Sequence, residues 1–136
     1  MPSLPQPGTP GTTSLWAGRV LSALAVLLFG FTATFSMLKP EAAKQGFAHY
    51  QYPDRSMLPI AIAEAACAII YAIPGTSILG AILLTGYLGG ATATHVRVGE
   101  PFFLPIMVGV VVWLGLYLRD DRLRSLIPVR RSRTRS

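Results

Sequence analysis

Charge is scarce in this chain. Asp, Glu, Lys and Arg make up only 13% of its 136 residues, about half the ~25% of a typical soluble domain. With 51% hydrophobic residues, that scarcity argues against a soluble globular protein and for an integral membrane protein. Cysteine is nearly missing as well. The single Cys67 excludes an intrachain disulfide and a dithiol redox pair, so any electron transfer would require a bound cofactor or a partner. It lies three residues from Glu64 in apolar surroundings and reads as a small core residue. The familiar catalytic signatures are absent: no phosphate loop, no G-x-S-x-G, no H-E-x-x-H. The two histidines, His49 and His95, are far apart in sequence and make a weak metal signal, so no metal site is expected.

What the chain does have is long apolar runs. The first extends from Trp16 to Leu38, roughly 34 Å of helix at about 1.5 Å per residue, enough to cross a bilayer with some tilt. Trp16 and Arg19 stand at its start as an interfacial aromatic and a snorkelling cation. Lys39-Pro40 ends it. Further runs cover 57–74, 76–96 and 102–118, the last near the lower length limit. Pro74-Gly75 marks a tight turn, which makes the second and third runs antiparallel neighbours. The fold expected is all-α, an antiparallel bundle of four transmembrane helices. Its longest connection, 39–56, holds a short surface helix from Glu41 to His49.

Three regions follow from composition. Residues 1–14 are mostly Pro, Gly, Thr and Ser, without side-chain charge, which predicts a disordered tail; the segment lacks the basic start of a signal peptide. Residues 15–128 form the membrane domain. Residues 129–136 form a basic tail, preceded by Leu123, Leu126 and Ile127 on one face of a short interfacial helix. Seven of the twelve basic residues fall between Arg119 and Arg135, so the net charge of +6 belongs to the tail. That tail suits a topology signal and an anionic-lipid contact, not a nucleic-acid surface. Four spans place both termini on one side. That side carries eight basic residues against four at Lys39, Lys44, Arg55 and Arg97, which predicts a multi-pass membrane protein with cytoplasmic termini.

Between Arg55 and Arg97 the one charged side chain is Glu64. Counted from the Gly75 turn it lies roughly 16 Å into a core about 30 Å thick. A carboxyl there costs a few kcal/mol and should face the bundle interior, bonded to Thr85, Tyr87 or a backbone carbonyl. The same level on the other spans falls near Gly86, near Val108-Gly109 and near Leu27 to Gly30. Glycine thus recurs around Glu64, at Gly30, Gly86, Gly89, Gly90 and Gly109. Close helix packing is the first explanation for Gly86-x-x-x-Gly90; a small cavity beside Glu64 is the other. Thr85, Leu88, Thr92 and His95 share one helix face, a polar stripe rising from the level of Glu64 to an outer rim of His49, Arg97, Glu100 and Lys44. His95 sits roughly 13 Å above Gly86, too far to touch Glu64. The candidate intramembrane site is therefore Glu64, Thr85, Tyr87, Thr92 and His95. The structural alternatives are threonines bonded to their own helix and a His95 that only caps the helix end.

The segments WAGRVLSAL (16–24), KPE (39–41), GFAHYQYP (46–53), EAAC (64–67) and GAILLTGYLGGATATHVRVGEPFF (80–103) together resemble the DoxX-like family of small bacterial membrane proteins, over roughly Trp16 to Pro128. The resemblance implies a four-helix membrane bundle. Some members of the wider DoxX group are subunits of thiosulfate:quinone oxidoreductase or of other membrane oxidoreductase complexes. It therefore implies an accessory or quinone-contacting subunit of a membrane redox system, with an oxidoreductase partner or a second copy of the chain beside it. Read from the residues alone, Glu64 suits a small proton-coupled transporter, and a non-catalytic membrane assembly protein is the third reading.

Overall fold

The structure is a computed structural model and describes residues 11–127. Among them all regular structure is helical. Six α-helices occur: α1 (Thr12–Leu38), α2 (Pro40–His49), α3 (Met57–Ala72), α4 (Ser77–Val98), α5 (Phe103–Arg119) and α6 (Asp121–Leu126). Short 3-10 turns at Asp54–Ser56 and Pro74–Thr76 lead into α3 and α4. The helices α1, α3 and α4, the latter two with their lead-in turns, are long and apolar enough to cross a membrane, and α5 is a shorter apolar helix of 17 residues.

The four long helices pack in a ring in the order α1, α3, α4, α5, each against two neighbours. Side-chain pairings fix their directions. Ser22 meets Tyr71 while Thr32 meets Glu64, so α1 and α3 are antiparallel. Thr85 meets Trp113 while Leu88 lies against Gly109, so α4 and α5 are too. The buried faces follow helical spacing: Gly18, Ser22, Ala25, Phe29 and Ala33 on α1, and Met57, Ala61, Glu64, Ala68 and Tyr71 on α3. These positions are mostly small. The large apolar side chains, Leu27, Phe31, Ile62, Ile69, Leu79, Ile82 and Val110 among them, point outward and are more than half exposed. Size rather than polarity separates inside from outside, as expected where lipid tails are as apolar as leucine and close backbone approach drives association.

Two boundaries differ from the sequence reading. Thr12 to Ser14 belong to α1 instead of a disordered tail. Helix continues there because Ser14 has partners: its hydroxyl donates to the Leu118 carbonyl and the Arg124 guanidinium donates to it. Residues 1–10 and the basic tail 129–136 lie outside the described residues. In α6, Leu123 is buried against the bundle, but Leu126 and Ile127 are exposed. Leu123 and Ile127 line the same groove beside α5, and α6 is a single stretch of six residues. Asp120 caps it, accepting from the backbone of Arg122 and Leu123.

At the end where α1 begins and α5 finishes, the helices touch backbone to backbone. A Cβ on Gly80 would lie 2.3 Å from the Tyr71 backbone, and one on Gly115 would lie 2.8 Å from the Ser22 hydroxyl. Arg119 crosses this region. It donates to the hydroxyls of Ser22 at 2.9 Å and Ser77 at 3.2 Å and lies over the Tyr71 ring. The Tyr71 hydroxyl in turn donates to the Val112 carbonyl at 2.8 Å. One buried tyrosine and one arginine thus tie all four long helices together.

Candidate functional site

The opposite end is open. A cavity of about 650 Å³ lies between α1, α3 and α4, under α2. That volume is within the range of small-molecule sites. Three features of the chain create it. Gly86 and Gly90 remove side chains from the face of α4 toward α3, and a Cβ at either would meet nothing within 4 Å. Ala42, Ala43 and Gly46 present a low face of α2 to it. The chain then reverses after α2 through Gln51, which adopts a left-handed conformation (φ 60°). The Tyr52 amide there bonds back to Phe47, the closure of a Schellman helix end. This reversal brings Tyr50 and Tyr52 to the cavity wall.

Glu64 is the acid of this cavity. It is 6% exposed and its carboxyl accepts a hydrogen bond from the Thr32 hydroxyl. The Leu28 and Phe29 carbonyls, 3.0 and 3.1 Å from the Thr32 hydroxyl, are alternative acceptors for its single proton. The Tyr87 side chain stands beside the same carboxyl and packs edge-on against Phe29. Higher in the cavity, the Tyr52 and Thr94 hydroxyls are 2.9 Å apart. The remaining walls are apolar, with Phe35, Phe47 and Ile60 among them.

The rim is a second polar cluster. The chain leaves α4 through Gly99 in a left-handed conformation (φ 75°), with the Glu100 amide bonded to the His95 carbonyl. This turn points Glu100 at the end of α2. Its carboxylate accepts from the Tyr50 hydroxyl at 3.1 Å and pairs with His49 at 2.5 Å. His95 bonds the Ala91 carbonyl through Nδ1 at 2.8 Å, and its Nε2 lies 3.4 Å from the Tyr50 hydroxyl. Arg97 donates to the Tyr50 carbonyl at 2.6 Å and covers the Tyr52 ring. The hydrogen bond from His49 holds the Glu100 carboxyl below its ordinary value, with Tyr50 adding to the effect. Burial, and then Glu100, push the Tyr50 hydroxyl up.

Of the residues singled out from sequence, Glu64, Tyr87 and His95 share the cavity, and His49, Arg97 and Glu100 gather at its rim. Thr85 and Thr92 do not join them. They face α5, where Thr85 accepts from the Trp113 indole at 2.8 Å and both threonines line a separate apolar groove. The stripe through Thr85, Leu88 and Thr92 is real, but it lies on the side of α4 opposite Gly86, Gly90 and Thr94, because positions two apart on a helix are about 200° apart. Lys44 pairs with Glu41 on α2 instead of joining the rim. Gly30 and Gly89 meet no neighbour, and Gly109 faces Leu88 in the groove beside α5, so the glycine cluster around Glu64 reduces to Gly86 and Gly90. Thr32, Tyr52 and Thr94 were not among the candidate site residues. Thr32 gave a signal only as a hydroxyl two residues past Gly30 in the first apolar run, Thr94 only as the neighbour of His95, and Tyr52 only as an aromatic in a polar connection.

No curated protein and no solved structure matches the chain. A model of the DoxX-like family matches residues 20–116, which covers the larger part of all four long helices and everything that builds the cavity, and the chain belongs to that family.

Proposed function

We propose that the protein is a four-span subunit of a bacterial inner-membrane redox system that holds a quinone head group in the Glu64 cavity. The observation that carries this reading is the cavity: about 650 Å³, mostly apolar, with polar groups confined to two levels. A quinone is a flat apolar ring with oxygens at opposite edges. Phe35, Phe47 and Ile60 suit the ring. Glu64 with Tyr87 suits one oxygen, and Tyr52 with Thr94 suits the other. Family membership supports the redox setting. Both termini face the cytoplasm in this reading, by the excess of arginine on their side, and the arginine tail meets anionic lipid.

The test is binding of a short-tailed benzoquinone to the purified protein in nanodiscs. Glu64→Gln keeps the shape and hydrogen-bonding capacity of a neutral acid, and Glu64→Leu removes the buried polar group altogether. Both are expected to insert and fold, Leu without loss of thermal stability, and both to weaken binding at least tenfold. Undiminished binding in both variants would sink the assignment and leave a packing protein. Affinity purification from native membrane supplies the companion test, with an oxidoreductase expected among the captured proteins.

A second reading, a proton-coupled carrier, is favoured by one feature. The acid shares its cavity with the aromatic faces of Phe35, Phe47, Tyr50, Tyr52 and Tyr87, a setting that suits an organic cation. Displacement of the benzoquinone by a lipophilic cation at micromolar concentration, with proton-dependent uptake in vesicles, would favour this reading over the first.

A further inference from the structure

Tyr50 and His95 belong to the cavity wall. Glu100 and His49 do not; their side chains are 34% and 58% exposed on the outer face. Yet the four form one unbroken chain. His95 Nε2 is 3.4 Å from the Tyr50 hydroxyl, that hydroxyl is 3.1 Å from Glu100 Oε2, and His49 Nε2 is 2.5 Å from Glu100 Oε1.

Counting protons along the chain shows what it can do. The Ala91 carbonyl only accepts, so His95 Nδ1, 2.8 Å away, carries a proton. A neutral imidazole then has its lone pair on Nε2. Tyr50 has one hydroxyl proton and two neighbours. If it donates to Glu100, the contact with His95 is a hydrogen bond only when Nε2 is protonated too. If it donates to Nε2, Glu100 loses that donor. The same geometry therefore holds two proton arrangements, related by one proton on His95 and a rotation of the Tyr50 hydroxyl.

We propose that His95, Tyr50, Glu100 and His49 form a proton port, which passes a proton between a ligand in the cavity and the aqueous face at the α4–α5 turn. This rests on the reading that the cavity holds a small molecule, and it adds the ligand's class: one that gains or loses a proton at the site, as a quinol hydroxyl does. In one passage a proton leaves His95 Nε2 for the Tyr50 oxygen while the Tyr50 proton passes to Glu100, whose partly exposed carboxyl releases it to water and returns to the carboxylate that His49 holds through its Nε2 proton. Nε2 is left with a lone pair, the tyrosine hydroxyl is restored when it turns back, and no electron moves.

The other charged or titratable groups around the chain are accounted for. Arg97 of α4 is engaged with the Tyr50 carbonyl and the Tyr52 ring, Tyr52 with Thr94, and Lys44 of α2 with Glu41. Glu64 of α3 is the acid on the cavity side. Tyr50 is held in its protonated form by burial and by Glu100, so it relays a proton and does not store one.

The experiment uses the full chain in nanodiscs and has two arms. In the first, a short-tailed benzoquinol is mixed with the protein in weak buffer, and its affinity and the rate of proton release to a pH dye are measured. Glu100→Gln, outside the cavity, is expected to leave the affinity within twofold and to slow release at least tenfold. Tyr50→Phe is expected to slow release equally. The second arm has no ligand. The infrared band of the protonated Glu64 carboxyl, identified by its loss in Glu64→Gln, is followed after transfer to D2O. Exchange is expected to slow at least tenfold in Glu100→Gln, in Tyr50→Phe and in His49→Gln, whose exposed side chain makes misfolding a poor explanation. Equal exchange rates in all the variants and the parent chain would overturn the port. Slowed exchange without quinol binding would keep the port and overturn the ligand reading.

Discussion

The two ends of this bundle use the same residue, glycine, for opposite purposes. At the Arg119 end, Gly80 and Gly115 let backbones touch: an added Cβ would fall 2.3 Å and 2.8 Å from neighbouring atoms. At the His95 end, a Cβ on Gly86 or Gly90 would meet nothing within 4 Å, and both glycines line the cavity around Glu64. The polar residues divide in the same way. Arg119, Tyr71, Ser22 and Ser77 close on one another and join the long helices. Glu64, Tyr87, Thr94 and His95 line a space. The first end holds the helices together and the second leaves a cavity between them. A glycine count cannot distinguish these uses, because the difference lies in what faces the missing side chain.

The comparison breaks most readily at Gly80. Gly80→Ala has to push the Tyr71 backbone away and is expected to cost about 3 kcal/mol, read as a large fall in thermal stability in detergent. Arg119→Met keeps the apolar stem but removes the charged donors to Ser22 and Ser77. A loss of about 2 kcal/mol is expected, with ligand affinity at the far cavity unchanged.

At the open end the sign reverses. Gln51→Gly relieves a left-handed backbone that a side chain disfavours and is expected to gain about 1 kcal/mol. Gly90→Ala is expected to gain about 0.5–1 kcal/mol from helix propensity alone while weakening the proposed quinone binding through the smaller cavity. If Gly90→Ala destabilised the protein as Gly80→Ala does, the contrast between the two ends would fall.

The smallest effect concerns acid. The folded-state value of Glu100 is lowered, chiefly by the His49 hydrogen bond. Its contribution to stability is therefore fully present above the ordinary carboxylate value of 4.5 and is lost as pH falls through the lowered folded value. Melting temperature should decline slightly more steeply below about pH 4.5 in the parent chain than in Glu100→Gln. Parallel profiles would remove Glu100 from the clamp on α2.

The sequence by itself determined the helices and the place of the acid. Apolar runs of membrane length, the Lys39-Pro40 break and the Pro74-Gly75 turn set α1, α3 and α4 to within a few residues, because the length and polarity of such a helix are local properties. Counting residues from a turn put Glu64 level with Gly86, since the rise per residue is fixed. The rotation of each helix about its axis is not local. It depends on which small residues let a neighbour come close, and here Gly80 against Tyr71 and Gly115 against Ser22 set it. That rotation turned Thr85 and Thr92 toward α5, brought Thr32 to Glu64 and exposed Gly86 and Gly90 to an empty space. The rim was decided by tertiary structure as well. The left-handed turns at Gln51 and Gly99 bring Tyr50, His95 and Glu100 together across some fifty residues of chain, and no spacing in the sequence encodes a contact made by two separate reversals.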